Sequence, residues 1–357
     1  MSATKIFGDS SLDSVLNPNW YFVCMHISTA MTIPTNIFGF LMIIFCEKQH
    51  MNAFRWHLMF YQVFSMLSDI LINSGIVPIV FSPFPIGIPN GFLNTFFEFF
   101  GLESSTWIQC EVMFCFLFMA GLGVEVLFLY RYQVILPTSH RHRLSSFSYF
   151  LMLFLYQFFW LTVQFVAFWY TVSNQSTAKF HFTQMYPEFA QLVESERSMV
   201  VAVHINPSIV LFLVICFTRL GTGLFICGWL VFMSKKALDD LILSPRTKIM
   251  HSRLINTLCC QVSIPVISFY LPLIIVIIPI IFFFPNTSDS FLVCAVFFSY
   301  HTFLGTLSIL VFNKPYRTWL IRCVTKKNRL VSMTTQSEEV QAKKWKTNGM
   351  NRLTSLF

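Results

Sequence analysis

Charge is the scarcest component of this chain: only 11% of its 357 residues are Asp, Glu, Lys or Arg, against 55% hydrophobic. So few charges cannot coat one large water-facing globule, so most of the surface must face lipid. The ten cysteines form no CxxC pair and no Cys/His cluster. Neither a zinc site nor a disulfide framework is expected, and they read as small apolar residues. No HExxH, GxSxG or P-loop pattern occurs, so catalysis has no support, and His140 and His142 read as a solvated pair in a basic loop. There is no internal repeat. Residues 1–19 contain Asp9 and Asp13 and lack the basic start and short apolar run of a cleavable signal peptide. No cofactor, metal or nucleic-acid partner is expected.

What the chain has in abundance is apolar length, with 43 phenylalanines. The stretch from His251 to Pro285 shows it most clearly: about 30 apolar residues, enough to cross a hydrocarbon layer of roughly 30 Å with length to spare. Pro265, Pro272 and Pro279 sit seven apart in it, so their freed carbonyls fall on nearly one face. Neighbouring helices in a membrane can re-satisfy such groups, and a helix softened along one face can bend. Similar spans are expected near Trp20 to Cys46, Trp56 to Val80, Trp107 to Tyr132, Phe147 to Val172, Pro207 to Met233, Ile255 to Phe284 and Phe291 to Phe312. The reading is an all-α membrane protein, a seven-transmembrane helix bundle. It divides into an N-terminal segment 1–19, a bundle 20–312 and a basic tail 313–357.

Basic residues set the expected orientation, because Lys and Arg are retained in the cytoplasm. Twenty lie in the first, third and fifth connections and the tail, and three on the other side: Lys5, Lys179 and Arg197. The N-terminus is therefore expected outside and the C-terminus inside. Both Asn-x-Ser/Thr sequons, Asn174 and Asn286, then fall outside as possible glycosylation sites. The turn-rich residues 81–106 and the acidic residues 173–206 are long enough to cover an outward-facing cavity. The tail, with Lys326-Lys327 and Lys343-Lys344, suits attraction to anionic inner-leaflet lipid.

Polar side chains inside the membrane cost roughly 2.5–3.5 kcal/mol each, so they usually have a reason to be there. Four ionisable ones stand out: Asp69, Glu111, Glu125 and Arg219. Asp69 and Arg219 count to mid-membrane, and Glu125 lies roughly 8 Å closer to the cytoplasm. The third and fifth helices of a seven-helix receptor bundle are neighbours, which makes Glu125 the better partner for Arg219. Glu111, near the outer end of the third helix, is a candidate for a ligand cavity. The bland alternative is that these groups only hold the bundle together.

Several motifs in order carry a family resemblance. His26-Ile27-Ser28 with Pro34 and Gly39 stands in the first helix, Ser68-Asp69 in the second, and Tyr130-Arg131-Tyr132 closes the third. Gln261-Val262-Ser263-Ile264-Pro265 follows in the sixth, and Asn313-Lys314-Pro315-Tyr316-Arg317 comes after the seventh. Together they resemble nematode seven-transmembrane chemoreceptors of the Str superfamily, closest to its Srh and Sri branches, over residues 17 to 320. The resemblance implies a G-protein-coupled receptor of chemosensory neurons, at the plasma membrane and in the sensory cilium. Its partners would be a small-molecule odorant or other chemical ligand, a heterotrimeric G protein and membrane lipid. A channel or transporter of similar helix count is the alternative. Tyr130 stands where rhodopsin-like receptors place an acidic residue before Arg131. Lys314 interrupts the usual Asn-Pro step, and residues 173–206 hold no cysteine to pair with Cys110. Pro265 is read as the main hinge of the sixth helix, and Gln261 one turn below it as a hydrogen-bonding partner for the freed backbone or for the seventh helix.

Overall fold

A computed structural model describes residues 18–46, 52–81, 86–101, 106–190, 193, 197–201, 207–240, 244–282, 288–312, 316–319 and 321. Five helices are long and apolar enough to cross a membrane: Asn19–Phe45, Thr106–Ile135, Ser146–Val172, Pro207–Asp240 and Asp289–Phe312. Two more segments complete the seven. Helix Asn52–Ile70 runs on without a break into a π-helical segment, Leu71–Ile76. The 38-residue helix Pro245–Phe282 carries Pro265, Pro272 and Pro279 within it. We refer to these as the first to seventh spans in chain order.

The expected excess of lipid-facing phenylalanine is visible along the fourth span, where Phe147, Phe150, Phe154 and Phe158 are all exposed. Inside the bundle the second span packs most extensively on the third, the third on the fifth, and the fifth on the fourth. Helices two and three approach closely at Gly123, where a Cβ would stand 2.8 Å from Tyr61 Cα. The chain forms two compact units, Met1–Ile309 and Leu310–Phe357. In the second unit, residues 316–319 are helical, with Tyr316 buried and Arg317 exposed.

One end of the bundle carries structure that the apolar runs concealed. The second span, expected to reach Val80, is helical only to Ile76. Pro78 cannot continue the ladder of helical hydrogen bonds, and residues Pro78–Phe81 form strand β1 instead. Strand β1 pairs antiparallel with β2, Ile86–Pro89, in the register Phe81 opposite Ile86. Strand β3, Met199–Val200, adds to the far side of β2 through Ile86 and Val200. The Gln175 side-chain amide pairs with the outer edge of β3, donating to Val200 O and accepting from Val200 N, both at 2.9 Å. The edge is thus closed by one glutamine in place of a fourth strand.

The turn from span to sheet is tight. Val77 lies at φ 44°, a left-handed conformation that costs a β-branched residue about 1–3 kcal/mol. The chain holds it there by hydrogen bonds from Asn90 N and Gly91 N to Ile76 O, 2.7 and 2.9 Å. Gly91 can approach only because it has no side chain: its Cβ would fall 2.1 Å from Gly75 O. Tyr21, Met25, Ile72, Phe182 and Phe189 pack with Phe81 of β1 in one buried apolar cluster. Tyr21 donates its hydroxyl to Pro78 O at 2.8 Å.

This packing separates two glycines of the same end. Gly91→Ala forces a methyl into a backbone carbonyl and is expected to lower the melting temperature and surface level, at about 1–3 kcal/mol or more. Gly87→Ala, with nothing within 4 Å of its Cβ position, is expected to be silent. Melting of both detergent-purified variants checks the contrast.

Candidate functional site

Three groups of side chains occupy the bundle interior. The first joins the first, second and seventh spans through Asp69, which accepts from Thr302 Oγ1 at 2.8 Å and from Asn36 Nδ2 at 3.3 Å. His301 Nδ1 lies 3.4 Å from the same carboxylate. Gln62 Nε2 donates to Thr306 Oγ1 at 2.9 Å and to Asn36 Oδ1 at 3.2 Å, and Thr306 donates to Asn36 at 2.6 Å. One turn nearer the sheet, Asn73 donates to Ser28 Oγ and to Ser299 O, both at 3.3 Å. Gly39 lets the first and seventh spans close on this ladder, for its Cβ would meet the Thr306 methyl at 2.5 Å.

The second group is a buried ion pair between the third and fifth spans. Arg219 Nη1 lies 2.5 Å from Glu125 Oε1, with both residues at least 95% buried. The guanidinium carbon also stands 5.2 Å from the Tyr156 ring and 5.7 Å from that of Phe118, so aromatic faces add to the charge compensation. Gly223 makes room: a Cβ there would lie 2.6 Å from Glu125 Oε1. A cavity of about 120 Å³ opens beside the pair.

The third group is a larger cavity of about 350 Å³ between the sheet and the helices. Strands β1 and β2 line it with Val80, Ile86 and Ile88, and the spans with Met113, Phe114, Phe168, Phe212, Pro272 and Phe298. Its volume falls in the range of small-molecule sites, and an apolar lining favours an apolar guest. Leu117 lines both cavities.

The residues singled out from sequence are distributed as follows. Asp69 anchors the first group, and Glu125 and Arg219 form the second. Glu111, expected at an outer cavity, lines neither: it turns to the fourth span, where Gln164 Nε2 donates to it at 2.9 Å. The amide holds the carboxylate on a helix-helix seam, one residue past Cys110, which does line the larger cavity. Arg131 is buried at the end of the third span opposite the sheet, 3.7 Å from the Phe54 ring centre. Tyr130 beside it packs on His57, ring centres 4.9 Å apart. Pro272 borders the larger cavity. The side chains of Gln261, Pro265 and Pro279, and residues Pro315 and Asn286, lie outside the described parts. Asn174 is exposed in the turn after the fourth span. Cys110 is one of eight described cysteines, all free.

Sequence reasoning missed the neutral members of the first group, Ser28, Asn36, Gln62, Asn73, Ser299, Thr302 and Thr306, and with them His301. Their signal was spacing: Ser28, Thr32 and Asn36, and Ser65, Asp69 and Asn73, recur every four residues, and all are buried. A model of the family described as serpentine type 7TM GPCR chemoreceptor Srh matches residues 17–326. No curated protein matches the chain.

The ion pair generates a direct test. Removing one partner leaves a buried uncompensated charge, which costs about 3–5 kcal/mol. Glu125→Gln and Arg219→Met should each lower surface expression and melting temperature, whereas the double variant should lose far less than the sum. A strictly additive double-mutant cycle would mean that the two groups act independently.

Proposed function

The chain belongs to the Srh family of serpentine seven-transmembrane G-protein-coupled chemoreceptors, and from that premise we propose that it detects a small apolar molecule in the cavity between the sheet and the spans. The observation that carries this reading is the cavity itself. It measures about 350 Å³, suits a guest of odorant size, and is walled by strands as well as by the third, fifth, sixth and seventh spans. A guest there touches several elements at once. It can therefore bind one helix arrangement better than another, which is the only way a ligand shifts an equilibrium.

The orientation follows the basic residues. The end bearing the sheet, with Lys179 and Arg197, faces outside; the opposite end, with Arg131, Lys235 and Arg253, faces the cytoplasm. The protein acts at the plasma membrane of a sensory cell, with the cilium as its site, and Asn174 is open to glycosylation. On the inner side the partner is a heterotrimeric G protein. The sixth span is the moving element, because proline removes a backbone hydrogen bond at three levels and lowers the resistance to bending. Pro265 is its main hinge.

Calcium imaging of cells expressing the protein, challenged with an odorant panel with and without a G-protein block, tests the function. A response that survives the block would count against G-protein coupling. Ala295→Leu, which narrows the cavity from the seventh span, is expected to raise the response threshold about tenfold or more while surface level holds. Pro265→Ala is expected to reduce signalling with ligand binding intact; joint loss of binding and surface level would make the proline a packing element only. A tag-accessibility map should find residues 173–206 outside and the tail inside.

A further inference from the structure

We propose that the smaller cavity beside Arg219 is a binding compartment for the carboxyl head of an acid, received together with its proton. Arg219 is 3% exposed and reaches Glu125 through Nη1 alone. Its Nε and Nη2 have no hydrogen-bond partner among the described residues. Those two N–H groups lie along one edge of the planar guanidinium, parallel and spaced to meet the two oxygens of a carboxyl group. A buried cation with two unanswered donors is costly, and a ligand that answers both recovers that cost.

A space lies against the guanidinium. Arg219 and Glu125 line a cavity of about 120 Å³ together with Ser65, Gly121, Leu224 and Val266. Gly121 leaves the approach open: a Cβ there would stand 3.7 Å from Arg219 Nη2, in ordinary contact with it and with nothing else within 4 Å. Leu224 and Val266 offer apolar wall for a short alkyl chain.

Charge decides the form in which the acid arrives. Arg219 and Glu125 already neutralise each other, so a bare carboxylate would add an uncompensated negative charge to a low-dielectric interior. A neutral acid adds none. Its O–H proton stays on the acid or passes to Glu125 or to His301, which also lines the cavity. In each case the acid and its proton enter together, with no net change in charge. The site is distinct from the apolar cavity, with which it shares the wall at Leu117.

The test uses the full chain in lipid nanodiscs, with melting temperature and calorimetric titration as readouts, at mildly acidic pH. The probes are butanoic acid, 1-butanol of equal chain length, and oleic acid. Butanoic acid is expected to raise the melting temperature and 1-butanol to leave it unchanged. Gly121→Ala, which sets a methyl before Nη2, and Arg219→Lys, which keeps a cation but removes the two-donor edge, should each weaken acid binding by about tenfold or more. Melting of each variant without probe is the folding control. Binding of oleic acid alone, lost in Gly121→Ala, would sustain the carboxyl site and assign its source to the bilayer. Equal shifts from acid and alcohol, no shift from either acid, or full acid binding by Gly121→Ala would overturn the proposal and leave water as the partner of the two donors. Silent signalling alongside intact acid binding would bear on the receptor reading and leave this one standing.

Discussion

A hydrocarbon layer offers no hydrogen bonds, and that single constraint accounts for the interior of this bundle. A polar side chain carried into the membrane gains most when another helix answers it, and three buried carboxyl groups here are answered in that way. Asp69 is answered by the first and seventh spans, Glu125 by the fifth, and Glu111 by the fourth. Each of these groups therefore fixes a pair of neighbours and the face by which they meet. Apolar packing between spans cannot do this alone, since lipid tails compete with leucine and phenylalanine on equal terms. Glycines complete the arrangement: Gly39, Gly123 and Gly223 each stand where a methyl group would strike the adjoining span or its ion pair.

At the sheet end the constraint relaxes, because water can meet the backbone, and the chain becomes irregular within a few residues. Here the connections are held by side chains acting on main chain and on one another. Thr106 donates to Arg197 O at 2.7 Å, Gln109 to Asn94 Oδ1 at 2.7 Å, and Arg197 pairs with Glu98 at 2.7 Å. The last pair is half-exposed and worth little by itself. Together with the Gln175 amide, these contacts tie both long connections to the third span beside the larger cavity.

How much of this was legible in the sequence depends on the range over which each feature acts. The spans were legible because apolar length is a local property: the first was placed at Trp20 to Cys46 and is Asn19–Cys46. The pairing of Arg219 with Glu125 did not follow from depth, which matched Arg219 to Asp69, but from the adjacency of the third and fifth helices in a seven-helix bundle. The end of the second span did not follow, since Ile76 through Phe81 reads as continuous apolar chain whether it is helix or strand. Strand pairing with Ile86–Pro89, reached across a turn, decided it. For Glu111 the depth was readable, but the face toward Gln164 was not. Residues 81–106 and 173–206 were legible as long enough to cover a cavity, and Ile86, Ile88 and Met199 do line the larger one, but its other walls were not, because they come from residues more than a hundred positions apart.

The four-residue spacing of Ser65, Asp69 and Asn73 conceals one more property of the second span. In an α-helix a step of four residues overshoots a full turn by about 40°, so a stripe at that spacing drifts steadily around the helix. The π segment Leu71–Ile76 has a wider turn, and there the same step falls short. About half of the step from Asp69 to Asn73 lies in the π segment, so the drift stops there without doubling, and Asn73 faces Ser28 and Ser299. The π segment is thus a phase correction. It allows a polar row with the wrong period for an α-helix to stay aligned with the first and seventh spans, and it makes residue count between Asp69 and Asn73 as fixed a quantity as their chemistry.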